Sequence, residues 1–465
     1  MEDTFTQLDQ LVSLISSSVD YIKREFRASG QAIPSLKSID EHPLDTGATS
    51  QKLLEALRIV HGASAQLTTM IAPPQYTLSN LSFAHYYSAC LNVVNTAKVA
   101  DHLRDYPEGL HVSRLAALTK LDGNQLARIL RMLAIKHCFT EVTPDVFANN
   151  RLSIHLLSDS PVGALSGLLT DENYHAGASL TDTLLHPDPN FGNGSAFSRG
   201  LNFDGGGLWE FYQQVDPARG KRFDQAMVGH GAVIKFDAIV TGLSSKRCSS
   251  VPVLMFNLAG FPWRSQPDGT TVCDVGGGVG HVSMHIAKSC PQLRVILQDL
   301  PSVIEQAKLF WKEAAPKIMN EGRVQLLPIN FLKESPITGC DYYFLKSVIH
   351  DWADKDSKVI LTNIKNAMKP TSRLILHEFL IQHIAPVEGE AGRFFTRAPE
   401  PLLANYGDGR AFEYYSDICM MASCNAKERT LEEFVVLGRD CGLELVKVWE
   451  CGQMNSIEFK LAGAS

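Results

Sequence analysis

The spacing of hydrophobic residues predicts that the N-terminal part of the chain is helical. Residues 4–26, 51–71 and 80–103 carry apolar side chains at near-helical intervals. Between the first two segments, residues 27–50 contain glycine and proline and are expected to form a linker. The helices contain no evident catalytic grouping, which favours a role in an interface.

Residues 107–150 have a different pattern, which predicts two helices and a hairpin. Ser113 is expected to cap a short helix and Asp122 a longer one, because such side chains accept hydrogen bonds from the first free amides of a helix. Two short strands, at 139–142 and 146–148, follow around a turn. Helix, helix and hairpin in this order predict a winged helix.

The C-terminal half alternates between strands and helices. Residues 182–207 are rich in glycine, proline and asparagine and predict a surface loop, and a helix is expected at 221–243. Residues 384–410 predict a second loop, which interrupts the alternation. The candidate strands are Thr271–Val275, Arg294–Gln298, Val324–Pro328, Tyr342–Leu345 and Arg373–Glu378. Strands separated by helices predict a parallel sheet with right-handed crossovers.

The pattern as a whole predicts the α/β fold class, with a Rossmann-like domain whose sheet is mostly parallel and an all-helical and winged-helix part before it. We expect a helical extension over residues 1–75, a winged-helix domain over 76–180 and the α/β domain over 181–465. A length of 465 residues agrees with several domains, because single cores stop growing beyond roughly 300 residues.

Composition and charge narrow the classes of function. A formal net charge of −7 argues against a protein whose main task is to bind nucleic acid. No apolar run approaches the roughly 20 residues that span a bilayer, and the N-terminus lacks the layout of a secretory signal. The 10 cysteines form no CxxC pair, so neither a zinc site nor a disulfide framework is predicted. We therefore expect a cytoplasmic protein that binds neither nucleic acid nor membrane.

The strongest local signal is a glycine-rich loop, Asp274-Val-Gly-Gly-Gly-Val-Gly280, after the first predicted strand. Glycines let the backbone approach a ligand closely at the carboxyl end of that strand. A dinucleotide fingerprint would need a glycine where His281 stands. The pattern favours a methyl-donor site, in which Asp299, after the second strand, can accept hydrogen bonds from both ribose hydroxyls. The plain alternative is a turn that only packs a strand on a helix.

Two further motifs, Gln298-Asp-Leu-Pro-Ser-Val-Ile304 and Leu345-Lys-Ser-Val-Ile-His-Asp-Trp352, carry a family resemblance. From about residue 80 onward the chain resembles the caffeic-acid type of plant O-methyltransferase. It is still more similar to the fungal relatives that methylate phenolic polyketides, such as the sterigmatocystin O-methyltransferases. The resemblance implies a homodimer formed through the N-terminal domain. It also implies methyl transfer from S-adenosylmethionine to a hydroxyl of a small aromatic molecule, with S-adenosylhomocysteine as the product.

Carried over to matching positions, the resemblance implies a set of donor-binding residues. Asp299 binds the ribose, and Asn330 lies against the adenine at a position where the family usually has an acid. An amide oxygen can still accept a hydrogen bond there, but the electrostatics differ. The full set implied to bind the donor is Gly276, Gly277, Gly278, Asp299, Leu300, Asn330, Phe331 and Lys346.

The same resemblance implies the catalytic and acceptor residues. His350 matches the general base of the family, and Glu378 and Glu428 match the two acids that flank it. The positions implied to line the acceptor are Met227, Asp351, Met420 and Asn425.

Chemistry argues for the same base independently. A phenol has a pKa near 10 and is a poor nucleophile until deprotonated, and a histidine with a pKa near 6.5 suits that task at neutral pH. His350 follows a predicted strand at the carboxyl end of the sheet, where ligands bind in open α/β folds. Each residue also has a purely structural interpretation. His350 could lie at the start of a helix, Glu378 could be solvated at the end of its strand, and Glu428 could be an acid at the N-terminus of a helix.

Three other functions stay open at this point. The acids Asp351, Asp354 and Asp356 suggest a metal site, but interleaved lysines favour a capped helix start, so no metal is expected. A winged helix can read DNA, although the helix at 122–136 carries only three basic residues. A relative could also use the methyl donor as a structural ligand without transferring the methyl group.

Overall fold

The computed structural model describes residues 4–42, 45, 50–188, 191–234, 260–386 and 396–464. The contacts of the chain divide it into two compact units. The first comprises Met1–Ser18, Ala48–Ala63 and Ile234–Ser465, and the second comprises Val19–Gly47 and Ser64–Val233. The limits of these units do not coincide with the boundaries predicted at residues 75 and 180, since the first unit includes Ala48–Ala63 and the second extends to Val233.

Ten strands form two sheets in the described residues. They are β1 (Leu110–His111), β2 (Thr140–Thr143), β3 (Val146–Ala148), β4 (Thr271–Val275), β5 (Arg294–Asp299), β6 (Val324–Pro328), β7 (Tyr342–Lys346), β8 (Arg373–Glu378), β9 (Leu443–Cys451) and β10 (Met454–Leu461). The first unit holds a seven-stranded sheet in the order β6-β5-β4-β7-β8-β10-β9, in which β4 to β8 run parallel. The five predicted strands are confirmed, and so is the Rossmann-like α/β class.

Apolar side chains of the parallel strands alternate between two cores, one on each face of the sheet. Cys273, Tyr343 and Leu376 pack in one core with the helix Asp354–Ala367. Their sequence neighbours pack in the other core, against the helices His281–Ser289 and Pro301–Ala314. Because both faces are covered, β4, β5, β7 and β8 are mostly buried and nearly continuously hydrophobic, whereas the edge strand β6 is partly exposed. The strand order reverses at β4, and ligands bind at such a point in open α/β sheets.

The antiparallel pair β9 and β10 was not predicted. β10 pairs with β8 on one side and with β9 on the other. It contributes Ile457 and Phe459 to one core and is buried along most of its length, so it lacks the alternation that marks a half-exposed strand. β9 alternates in part between buried or half-buried and exposed positions.

The second unit contains the two predicted helices and the hairpin. Asp122 caps the helix Gly123–Ala134 as predicted, because its side chain accepts from the Gln125 amide at 2.9 Å. The cap predicted at Ser113 is wrong. The helix begins one residue earlier, and His111 Nδ1 accepts from the Ser113 amide at 3.2 Å. The strands β1, β3 and β2 lie side by side in that order.

Two predicted loops contain ordered structure. Within 182–207, Ala196–Gly200 is helical and Phe197 is fully buried against Phe211, because this segment packs inward despite its glycines. Within 384–410, residues 387–395 lie outside the described part, and Gly407–Arg410 form a 3-10 turn. The helix predicted at 221–243 is described only up to residue 233.

The helical elements are, in chain order, Thr4–Ala28, Gln51–Ile71, Pro74–Phe83, His85–Thr96, Val99–Leu103, Val112–Thr119, Gly123–Ala134, Ser153–Leu156, Pro161–Thr170, Glu172–Ala178, Leu180–Leu185, Ala196–Gly200, Leu208–Glu210, Phe211–Val215, Pro217–Val233, Trp263–Ser265, His281–Ser289, Pro301–Ala314, Pro316–Asn320, Ile349–Asp351, Asp354–Ala367, Gly407–Arg410, Ala411–Cys424 and Leu431–Asp440. Among the helices that the structure describes, none has the length and apolar character to cross a membrane.

Candidate active site

The glycine-rich loop lies between β4 and the helix that follows it. Gly276 and Gly278 have φ values of +73° and +62°, a conformation that side chains rarely adopt. A Cβ on Gly277 would lie 2.4 Å from the Leu297 side chain, so this side of the loop is packed against the sheet. A Cβ on Gly278 would meet no atom within 4 Å. The loop therefore presents bare backbone to an open space at the carboxyl end of β4.

Asp299 ties this loop to the end of β5. Its Oδ2 accepts from the Gly278 amide at 2.8 Å, and its Oδ1 accepts from the Leu300 amide at 2.7 Å. Burial raises the pKa of Asp299, and the two amide bonds oppose that rise. Each carboxylate oxygen can accept more than one hydrogen bond, so the side chain can hold the loop and still bind a hydroxyl pair.

Asp274 supports the loop from within β4, and the sequence analysis gave it no role. It is 2% exposed, and its carboxylate accepts from the Ser283 hydroxyl at 2.5 Å. Burial raises the pKa of Asp274 to about 7 against the effect of this hydrogen bond. Its place two positions before the first glycine was the available signal.

Asn330 and Phe331 follow β6 at the same edge of the sheet. A Cβ on Gly276 would lie 3.1 Å from the Phe331 ring, so that ring borders the loop. The ring meets Trp352 edge to face, with 5.7 Å between the centroids. The Asn330 side-chain oxygen accepts from the Leu332 amide at 3.2 Å. The structure thus brings Phe331 to the glycine loop and fixes Asn330 in the turn beside it.

Lys346 ends β7, beside the loop strand. Burial lowers the pKa of its ammonium to about 8, and the charges of Glu378 and Asp274 oppose that fall. Its Nζ donates to the Ser347 hydroxyl at 3.2 Å. The Lys346 amine therefore interacts electrostatically both with Asp274, below the loop, and with Glu378.

His350 lies in the short turn Ile349–Asp351 after β7 and is 6% exposed. Its Nδ1 lies 2.7 Å from Glu428 Oε1 and 3.9 Å from Glu378 Oε2. Its Nε2 lies 3.6 Å from Asp351 Oδ1. Three carboxylates therefore surround one imidazole, and the structure brings together the three residues implied to be catalytic.

These charges change the protonation of the histidine. Burial alone lowers the pKa of His350, but Glu428, Asp351 and Glu378 together raise it to about 10. Burial likewise raises the pKa of Glu378 to about 7 and that of Asp351 to about 6, against the effect of the His350 charge. The expected neutral histidine with a pKa near 6.5 is therefore wrong for the protein without ligands, because one imidazole balances several buried acids.

Glu378 and Glu428 are held by different elements. Glu378 ends β8, and its Oε1 accepts from the Val348 and Ile349 amides at 3.1 and 2.9 Å. Glu428 Oε1 accepts from the Ser416 hydroxyl at 2.7 Å as well as contacting His350. The second oxygen of each carboxylate is buried and has no hydrogen-bond partner among the described residues. Neither acid is solvated, and Glu428 precedes the helix Leu431–Asp440 instead of opening it.

The same three side chains could also hold a metal ion, since their ligand atoms lie within 4.8 Å of one another. The contacts favour a proton between His350 and Glu428 instead of a metal ion. Glu428 Oε1 and His350 Nδ1 are at hydrogen-bond distance, and Glu378 Oε1 already accepts two amides. A carboxylate on one ring nitrogen fixes the tautomer of a histidine and stabilises its charged form.

The implied acceptor residues lie on two units. Met420 is in the helix Ala411–Cys424, and Asn425 ends that helix with a φ of +52°. This helix faces the histidine cluster, because Ser416 donates to Glu428. Met227 lies in Pro217–Val233 of the second unit, so its place in the acceptor site stays a prediction.

Comparisons with known proteins identify the family of this chain. The family model described as an O-methyltransferase domain matches residues 267–395. The chain is 38% identical to "3-O-methyltransferase 2" of Phanerochaete chrysosporium, over 97% of each chain. It is 30% identical to sterigmatocystin 8-O-methyltransferase of Aspergillus parasiticus, over 94% of each chain. The chain therefore belongs to the O-methyltransferase family, and it is an enzyme of that family.

Solved structures share the fold. The mitomycin 7-O-methyltransferase MmcR superposes with a TM-score of 0.64 at 23% identity, covering 84% of this chain and 98% of that one. LepI in complex with SAM superposes with a TM-score of 0.66 at 20% identity, covering 96% of this chain and 99% of that one. A structure titled "A Pericyclic Reaction enzyme" also matches, at 20% identity. The fold alone therefore does not decide which reaction is catalysed. The reaction has to be argued from the side chains of the site.

Proposed function

We propose that this enzyme transfers the methyl group of S-adenosylmethionine to a hydroxyl of a small aromatic molecule and leaves S-adenosylhomocysteine. One observation carries the proposal. A buried histidine, oriented by a carboxylate at 2.7 Å, follows the strand next to the glycine loop, at the carboxyl end of the same sheet. The arrangement combines a base with a donor site, which methyl transfer to a hydroxyl requires.

The residues beside the loop suit the donor. Bare backbone at Gly278 leaves room for a ligand, and Asp299 retains lone pairs for ribose hydroxyls. The apolar ring of Phe331 borders Gly276 and suits a purine, with Asn330 as the polar neighbour. The proposed donor set is Gly276, Gly277, Gly278, Asp299, Leu300, Asn330, Phe331 and Lys346.

The proposed step needs a base and correct alignment. When bound, S-adenosylmethionine supplies a methyl group on a positively charged sulfur. His350 Nε2 takes the proton of the acceptor hydroxyl, and Glu428 stabilises the resulting imidazolium from Nδ1. The surrounding residues would exclude water and align the acceptor hydroxyl with the donor, because transfer needs the reacting groups held in a productive orientation.

His350 must be neutral before it can act. The three carboxylates favour its charged form in the empty site, so we propose that binding of the cationic donor helps to expel that proton. Two like charges in a buried site disfavour each other. Donor binding would thereby favour the neutral form of His350, which can accept a proton.

The proposed acceptor is a phenol, of the kind found in polyketide-type secondary metabolism. The relative named for sterigmatocystin supports this class. Asp351, on the Nε2 side of His350, can contact the acceptor, with Met420 and Asn425 as further walls.

We further propose a cytoplasmic homodimer that uses its winged-helix part for dimerisation and needs neither metal nor nucleic acid. Arg131 on the helix Gly123–Ala134 pairs with Glu141 and Asp145 at 3.1 and 2.6 Å. Its charge is therefore already compensated within the protein, which argues against a phosphate-binding face.

The test incubates the purified enzyme with methyl-deuterated S-adenosylmethionine and a panel of simple phenols, methoxyphenols, naphthols and hydroxyanthraquinones. Mass spectrometry should detect a labelled methyl ether. Donor binding by calorimetry without any methylated product would contradict the proposal and favour a relative that uses the donor structurally. Loss of activity in EDTA that magnesium restores would contradict the absence of a metal.

A further inference from the structure

Arg429, the residue after Glu428, has a buried guanidinium that no family resemblance assigned. It is 1% exposed. Its Nη1 donates to the Ile349 carbonyl at 2.9 Å, and its Nη2 donates to the Trp352 carbonyl at 2.8 Å. These two carbonyls flank His350 and Asp351, so the guanidinium binds both ends of the turn that carries the base.

The main chain of Arg429 makes a second connection. Its carbonyl accepts from the Ile381 amide at 3.1 Å, and Arg429 forms a parallel bridge with Leu380. Leu380 lies two residues after Glu378, the last residue of β8. Arg429 is thus joined to Glu428 by a peptide bond, to the His350 turn by its side chain and to the segment after Glu378 by its backbone.

The charge of Arg429 is compensated at its outer edge. Its Nε and Nη2 donate to Asp354 Oδ1 at 3.1 and 2.8 Å, and Nη2 also lies 3.2 Å from the Ser357 hydroxyl. The side chain of Asp354 is 57% exposed. Because solvent screens an exposed ion pair, the carbonyl bonds should hold the turn more firmly than the pair with Asp354 does.

We infer that Arg429 is a positioning residue for the base, which sets the distance between His350 and Glu428. A planar guanidinium donates in several fixed directions, and a lysine ammonium does not reproduce this geometry. Arg429→Lys therefore keeps the charge but loosens the turn. This inference rests on the proposed role of His350.

A merely structural role makes a different prediction. Arg429 could only stabilise the fold, and its loss would then lower the melting temperature without changing the chemistry of the folded enzyme. A positioning role predicts a lower kcat with donor affinity unchanged. It also predicts that the His350 imidazole titrates at lower pH, because the Glu428 carboxylate that holds its proton is no longer close.

The experiment compares Arg429→Lys with Arg439→Lys, an exposed arginine on the next helix. The acceptor is the phenol methylated fastest in the panel above. We expect kcat to fall about 10- to 100-fold in Arg429→Lys, since small misplacements in a catalytic centre cost about that much. The donor Kd from calorimetry should stay within about twofold, and Arg439→Lys should match the native enzyme. NMR of the imidazole, assigned through His350→Gln, should show titration at lower pH in Arg429→Lys.

If Arg429→Lys does not fold, Ser357→Ala makes a smaller change in the same place: it removes one contact of the guanidinium and the bonds of the Ser357 hydroxyl to the Trp352 and Ile349 carbonyls, so it loosens the same turn. A lost hydrogen bond of ordinary strength predicts a kcat about fivefold lower, with the same direction of the NMR shift. Unchanged kcat and unchanged titration in a folded variant would overturn the inference. An unchanged rate in His350→Gln would instead overturn the proposed function, so the two failures are distinguishable.

Discussion

Each of the two units contains a cluster of charged side chains around a fully buried glutamate. The clusters differ in the balance between cationic and anionic groups. In the second unit, Arg219 and Arg222 face Asp171 and Glu172, with Arg222 2.8 Å from Asp171. In the first unit, three carboxylates face the single imidazole of His350.

The balance decides what each cluster can do. Burial raises the pKa of Asp171, but hydrogen bonds from Arg222 and Arg219 lower it below its ordinary value, whereas the pKa of Glu172 stays above its ordinary value because burial outweighs the effect of Arg222. Two guanidiniums nevertheless face these two carboxylates, while a single imidazole faces three carboxylates around His350, where burial raises the pKa values of Glu378 and Asp351. A balanced buried cluster suits a structural role, whereas an unbalanced one retains affinity for a proton or a cationic ligand.

The largest expected effect comes from Glu428→Gln in the unbalanced cluster. The amide keeps the shape but loses the charge that orients and stabilises the imidazolium. We expect kcat to fall about 10²- to 10⁴-fold, the range that general-base catalysis spans. Steady-state kinetics on the panel phenol would measure it, with the exposed Glu432→Gln as the matched control. A loss below about twofold would remove Glu428 from the mechanism. In the double variant with His350→Gln the losses should not add, because the two residues act as a unit.

Asp299→Ala should weaken donor binding. Two hydrogen bonds from the ribose to a charged acceptor would be lost, which costs about 2–4 kcal/mol. Titration calorimetry with S-adenosylhomocysteine measures this, and the exposed Asp268→Asn is the control. Asp299→Asn, which keeps an acceptor for the Gly278 amide, should show a smaller loss. Equal affinity in all three variants would show that Asp299 only supports the loop.

Glu172→Gln tests the balanced cluster. It leaves the half-buried guanidinium of Arg222 with one anion instead of two and replaces a fully buried carboxylate, so the free energy of unfolding should fall by up to about 3 kcal/mol. Chemical denaturation measures this change. The kcat of the folded enzyme should stay within about twofold of the native value. A fall in kcat comparable to that of Glu428→Gln would erase the distinction between the two clusters.

The smallest expected effect is a release of protons on donor binding. The pKa of His350, about 10 in the empty site, keeps the imidazole charged at neutral pH. The resulting stabilisation is complete below a pH of about 6.5 and is lost as the pH rises toward 10. Calorimetry at pH 8 in two buffers of different ionisation enthalpy should show release of up to about one proton per donor. Proton uptake would contradict the account.

Much of the fold could be predicted from the sequence, because parallel strands between helices leave a strong hydrophobic pattern. The five strands from Thr271 to Glu378 followed from it. The hairpin of β9 and β10 did not, since β10 is buried on both faces and shows no period of two. Helix caps depend on single residues, so His111 took the place expected for Ser113.

The candidate site was predictable where one motif placed several groups at strand ends. His350 lies in the short turn after β7 and Glu378 ends the neighbouring parallel strand β8, so their proximity follows from the topology. The role of Arg429 and the contact of Ser416 with Glu428 depend on how distant segments fold back, which no local pattern encodes. The raised pKa of His350 was missed for the same reason, because it needs all three carboxylates in place.

The most direct test of the central claim measures methylation rates of phenols of graded acidity with the native enzyme and with His350→Gln. The exposed His383→Gln is the control. For weakly acidic phenols, His350→Gln should be about 10²- to 10⁴-fold slower. The loss should shrink toward nothing for nitrophenols, because they ionise without a base. Equal rates of the native and variant enzymes on a weakly acidic phenol would contradict the account. They would show that His350 has only a structural role in the turn Ile349–Asp351.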